Sequence, residues 1–168
     1  MSDHEPFGPL ETTTIDLGFV AATVAVNAGP RVLGYARTDG PNLFASLPDE
    51  VIEHAAVGTF RFLGGHRLWR APEVPAVSYM ADDAPVTIAN TEAGVEIVGP
   101  ADGDGIVKAI TLAQHGDFTA VDHELRNEGW SPVRLAPWAI TQLAPGGTAY
   151  LPQRSGPVDD DGVLPNRH

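Results

Sequence analysis

The stretch GGHRLWRAPE, residues 64–73, gathers an imidazole, two guanidiniums, an indole and a carboxylate directly behind a glycine pair. Glycines without a Cβ let a ligand or another backbone come close. Arg67 offers a planar fork of donors suited to sugar hydroxyls or a carboxylate. Trp69 has the flat apolar face on which a pyranose ring can stack. In a strand, alternation places His66, Leu68 and Arg70 on one face and Arg67 and Trp69 on the other. Two readings follow. In one, Arg67 and Trp69 line a concave ligand site; in the other, Trp69 belongs to the core and Arg67 is a surface or salt-bridged residue.

His123 stands between Asp122 and Glu124, a grouping suited to acid–base work, because imidazole titrates near neutral pH and carboxylates tune it. Neighbours in a strand point to opposite faces, however, so neither carboxylate faces the imidazole directly. The competing reading is a half-buried, hydrogen-bonded histidine. Asp102 and Asp104 in PADGDG faintly resemble a calcium loop, but the rest of that loop, including its distant bidentate glutamate, is missing. A tight turn is expected there. Asp159 to Asp161 read as a solvated acidic run. His54, His66, His115 and His123 show no spacing that makes metal ligands, and no metal or cofactor is expected. There is no G-x-S-x-G elbow, phosphate-binding loop or dinucleotide fingerprint.

The chain that must position these groups has 168 residues, enough for one domain with a sizeable core. Its net charge of −12 argues against nucleic acid or an anionic membrane as partner, since both require a basic footprint. Neutral sugars and other small molecules are unaffected by that charge. With no cysteine, disulfides, thiolate nucleophiles and zinc–thiolate clusters are excluded. The N-terminal MSDHEPFGPLETTT lacks the basic start and apolar run of a signal peptide, and no segment is a membrane span. A cytoplasmic protein is expected.

Eighteen glycines and fifteen prolines make turns frequent. Residues 1–10 read as a flexible leader, 11–152 as a β-sandwich domain and 153–168 as a polar acidic tail. TTTIDLGFVAATVAVN reads as a strand closed by the turn NAGP, with RVLGYAR returning. One short helix is predicted in SLPDEVIEHAA, where Ser46 can cap, Pro48 lies in the first turn and Asp49 stands three residues after the cap. Beyond residue 58 the pattern is strand and turn only: 59–63, 66–70, 74–80, 85–90, 94–98, 105–113, 117–127 and 132–143. Many short strands between Gly/Pro turns predict an all-β, antiparallel sandwich. On 118–127, Thr119, Val121, His123, Leu125 and Asn127 share the more apolar face.

The order of motifs resembles a known superfamily. VAVNAGPRVLGYARTDGPNLFAS, closing on Asn42, Leu43 and Phe44, is similar to the opening of galactose mutarotase-like proteins of the aldose 1-epimerase superfamily. GGHRLW-APE, YMADDAPVTI and VDHELRNEGWSPVRLAPWAITQLAPGG resemble one bacterial branch of it, over roughly residues 12–168. The resemblance implies a β-supersandwich whose concave face binds a sugar, with a histidine acid and a glutamate base acting at the anomeric carbon. It places Arg67 where such proteins carry a substrate-contacting arginine. It places Trp138 near a histidine of the active epimerases, so that Pro137-Trp138 stands where a proton donor is expected. The epimerases are longer, with the glutamate base in their C-terminal half, so the sandwich is expected to be incomplete at its C-terminus. The function expected is therefore a carbohydrate-binding, mutarotase-like domain without full epimerase activity, its contacts drawn from His66, Arg67, Trp69, Glu73, His123 and Trp138. One alternative is an aldose 1-epimerase in which His123 or His66 donates and Glu124 or Glu73 serves as base. Another is a structural half-sandwich completed by a partner chain, self-associating through an exposed sheet edge.

Overall fold

The computed structural model describes residues 7–55, 58–74 and 84–152. Among the described residues ten strands run in chain order: β1 (Thr12–Asp16), β2 (Val20–Ala25), β3 (Arg31–Arg37), β4 (Ser46–His54), β5 (Gly58–Ala71), β6 (Thr87–Thr91), β7 (Gly94–Val98), β8 (Ile106–His115), β9 (Phe118–Asn127) and β10 (Ala136–Gln142). They form two antiparallel sheets packed face to face, a β-sandwich. One sheet has the order β1-β2-β3-β5-β10, with β4 also paired to β5; the other has the order β6-β7-β8-β9.

The core lies between the sheets. Ile15, Ala22, Val24, Val32 and Leu68 of the first sheet face Ile97, Ile110 and Leu112 of the second, and Leu17 closes the cluster from the β1–β2 turn. Burying each large aliphatic side chain contributes roughly 1.5–3 kcal/mol. A smaller cluster of Ala25, Ala28, Leu33 and Leu63 is covered by Phe7 and Leu10, so the end of the expected leader packs on the domain.

The predicted helix at 46–56 is absent. Ser46 to His54 form β4, a strand that among the described residues pairs only with β5. The register shifts between Leu47 and Val51, the interval that contains Pro48. A proline has no N–H to give a ladder and is tolerated at an irregular edge. Cross-strand pairing there outweighs the local capping pattern.

Two further boundaries differ from expectation. The strand read through residues 12–27 is a hairpin, turned at Leu17–Phe19, where Gly18 has φ 84° and its N–H donates to the Asp16 carboxylate. The separate strands at 59–63 and 66–70 are one strand, β5, bent where Leu63, Gly64 and Gly65 all have positive φ. Before the bend β5 pairs with β4; after it, with β3 and β10. A Cβ on Gly64 would lie 2.0 Å from the Ala45 carbonyl oxygen, and one on Gly65 would lie 2.2 Å from that of Val32. The glycine pair thus admits neighbouring backbone, which is what lets one strand serve both halves of the sheet. The expected strand at 74–80 falls outside the described residues beyond Val74, as does the expected tail at 153–168.

Candidate functional site

His66 lies on β5 just after the bend, and its partner across the β5–β10 ladder is Thr141. Its Nδ1 is 2.8 Å from the Thr141 hydroxyl. Its Nε2 points across the sandwich and meets Nε2 of His123 on β9 at 2.7 Å. The two rings are 5.0 Å apart at centroid and tilted by 46°. Thr141, His66 and His123 therefore make a continuous hydrogen-bonded chain that joins the edge strands of the two sheets.

His66 is buried at 7% exposure. Burial first, and the neighbouring His123 second, push its pKa down to about 4. His123 is half-buried, and burial lowers its pKa too, against the opposing pull of Asp122. Both imidazoles are neutral at pH 7, so one proton lies between the two Nε2 atoms.

Hollows flank the chain on either side. One, of about 390 Å³, is walled by Val32, Tyr35, Phe44, Leu112 and Val121, with His66, Thr119 and Thr141 at its polar margin. Tyr35 and Phe44 are stacked, with centroids 5.8 Å apart. The Tyr35 hydroxyl donates to Thr119, which donates to Gln114, so these hydroxyls satisfy one another. The other hollow is a groove of about 420 Å³ lined by His123, Glu124 and Asn127 together with Ile106, Leu125, Val133, Leu135 and Pro137. Asn127 shapes its wall: its amide donates to the Ser131 carbonyl and its oxygen accepts from the Gly129 N–H. Among the described residues, the hydrogen bond to His66 is the only one His123 makes, so its Nδ1 carries none, and His123 is one of the side chains that line the groove.

The other residues singled out in sequence lie elsewhere. Arg67 and Trp69 are buried at 2% and 6% exposure, on the face of β5 opposite His66. The Arg67 guanidinium lies over the rings of Phe60 and Trp69, at 5.1 and 4.9 Å from their centroids, and donates to the Phe62 carbonyl. Arg31, fully buried, donates to the same carbonyl. Trp138 meets Trp69 edge-on at 5.4 Å. These side chains form a packed layer with its own cation–π energy, away from the histidine pair. Glu73 is exposed just past the end of β5.

Asp102 and Asp104 are engaged by Arg70. Arg70 is 4% exposed and bonds the Asp104 carboxylate, with Asp102 at 3.5 Å. The Asp102 side chain also accepts from the N–H groups of Asp104 and Ile106, closing the tight turn expected of PADGDG. Among the described residues no group of three or more His, Asp or Glu side chains converges as a metal site.

Sequence reading identified His66 and His123 separately but not their contact, and it missed Thr141, Tyr35 and Thr119. Thr141 had one usable signal, its place in the strand read at 132–143; its pairing with His66 depends on a register that only the sheet supplies. Comparison with protein-family models, with curated proteins and with solved structures returned no match.

Proposed function

We propose that this β-sandwich is a carbohydrate-binding domain of the mutarotase-like type, whose ligand is a neutral free sugar held in the groove beside His123. The observation that carries the reading is His123, which lines the groove and is held at Nε2 by buried His66 while its Nδ1 makes no hydrogen bond among the described residues. Sugars present hydroxyls around an apolar ring face. The groove offers His123 and Glu124 as polar partners and Leu125, Val133, Leu135 and Pro137 as apolar wall, the mixture such ligands require. A net charge of −12 favours neutral sugars over phosphorylated ones. The resemblance of GGHRLW-APE and APWAITQL to mutarotase-like proteins supports the same class.

A second reading, an aldose 1-epimerase, is favoured by the same imidazole pair, since a neutral histidine can take a proton from the anomeric hydroxyl. Two-dimensional exchange NMR on a panel of free aldoses separates the two. Sugar line broadening that is lost in His123→Ala, with no faster exchange between anomers, is the outcome expected for a binding domain. Exchange cross-peaks above the spontaneous rate mean catalysis. Neither effect on a folded sample overturns both.

A further inference from the structure

We propose that Thr141, His66 and His123 form a proton wire through the sandwich, with His123 Nδ1 as its groove end and the Thr141 hydroxyl as its solvent end. The inference rests on the groove being the ligand site, and it concerns what the buried pair does for that site.

The wire follows from counting protons. Between two neutral imidazoles whose Nε2 atoms are 2.7 Å apart, one Nε2 carries hydrogen and the other accepts it. Each neutral ring has one N–H, so fixing one tautomer fixes the other. In the first arrangement His66 carries its hydrogen on Nδ1 and donates to Thr141, while His123 carries its hydrogen on Nε2 and donates to His66. His123 Nδ1 is then bare, a base. In the second arrangement the Thr141 hydroxyl donates to His66 Nδ1, His66 Nε2–H donates to His123, and His123 Nδ1–H is a donor.

One concerted shift converts the first arrangement into the second. A ligand hydroxyl gives its proton to His123 Nδ1. The proton on His123 Nε2 passes to His66 Nε2, that on His66 Nδ1 passes to Thr141 Oγ1, and the original Thr141 hydroxyl proton leaves to water. Three N–H or O–H bonds form within the chain and three break; one proton has crossed from groove to solvent, and no ring carries charge at either end. Thr141 can make the last exchange because it is exposed, whereas His66 is buried. A buried ring that need never hold an imidazolium avoids the cost of a charge in an apolar interior. Thr141 and His66 act through His123 and are positioning residues.

The test is long-range ¹H–¹⁵N NMR of the histidine rings in the full chain without sugar at pH 7.5, comparing wild type with Thr141→Val and Thr141→Ser. In wild type the two rings are expected to show opposite tautomers, with a scalar coupling across Nε2–H···Nε2. Thr141→Val strands a buried N–H in the first arrangement and a bare ring nitrogen in the second; the unpaired donor is the costlier of the two. It is expected to lower the His66 Nδ1–H population, by at most about fivefold, the weight of one hydrogen bond. His123, which Thr141 does not bond, is expected to change by the same factor in the opposite sense, and Thr141→Ser to restore both. Like tautomers on both rings or no coupling between them overturns the proposal, and the wild-type spectrum alone suffices for that. A His123 that ignores a shift in His66 also overturns it, as does a pair that Thr141→Val leaves unchanged. Because no sugar is present, failure of the wire leaves sugar binding standing, and a failed sugar titration leaves the wire standing.

Discussion

Nε2 of His66 and Nε2 of His123 are 2.7 Å apart although 57 residues separate them in the chain. The contact is the product of two ladders: β5 bent at its glycines presents His66 inward, and β9 set beside β8 with Ile110 opposite His123 presents the second ring. A donor–acceptor bond between neutral rings ties one sheet to the other, with consequences for stability, for pH response and for ligand contact.

The pH response has a definite sign. His66 falls from an ordinary 6.5 to about 4 on folding, so between those values the unfolded chain binds more protons than the folded one. Stability therefore rises with pH across that window, and it is lost as pH falls from about 6.5 towards 4. The His66 share approaches about 3 kcal/mol by pH 4. Carboxylates titrate in the same range, so the measurement is the difference between wild type and His66→Gln in urea unfolding at pH 7 and pH 4. Wild type is expected to lose more. Equal losses mean that the ring is not held neutral by the fold.

Substituting either bend glycine is expected to be severe. Gly64→Ala and Gly65→Ala each combine positive φ with a Cβ about 2 Å from a carbonyl oxygen. Relief requires moving the backbone of β5 against its neighbours. Thermal unfolding should show a loss of at least about 3 kcal/mol or failure to fold, well beyond the ~1 kcal/mol that separates glycine and alanine in ordinary positions. Gly103→Ala, where a Cβ meets open space, is the control and should move the midpoint little.

The two aspartates on Arg70 are expected to differ. Asp102 accepts from two backbone N–H groups and faces a buried guanidinium, while Asp104 is half exposed. Asp102→Ala removes the turn's acceptor and a partner of a buried cation together, a loss of about 3–5 kcal/mol in denaturant unfolding. Asp104→Ala should cost clearly less. The reverse order would show that the shorter Arg70–Asp104 contact dominates.

Arg67 and Glu124 should separate stability from binding. Arg67→Lys keeps the charge but loses the planar stack on Phe60 and Trp69, so thermal unfolding should show about 1–2 kcal/mol less stability. Sugar titration of that variant should show unchanged affinity. Glu124→Gln, on the exposed groove, should do the opposite: reduced affinity at unchanged midpoint. Loss of sugar affinity in Arg67→Lys with full stability would move the site to the other face of β5.

Much of the fold was legible because strand alternation and turn chemistry are local. β7 was read at its observed limits, and β8 and β9 to within two residues, since apolar alternation there is bounded by Asp, Gly and Pro turns. The same locality misled at Ser46–His54, where a capping pattern suited to a helix sits in a segment whose partner strand lies beyond it in sequence. It also cut β5 in two, because a glycine pair marks a turn as readily as a bend.

By itself, then, the sequence determined the all-β class, the approximate strands, the faces of β9 and the tight PADGDG turn, each set by residues a few positions apart. Tertiary structure decided which polar residues meet. Alternation puts His66 and Arg67 on opposite faces of β5, but only the packing of the second sheet makes the His66 side the one that meets another imidazole. Only the β5–β10 register supplies the Thr141 hydroxyl behind it. The physical reason is range: a turn is written in adjacent residues, whereas a hydrogen bond between sheets exists only after both have folded and their faces have closed on one core.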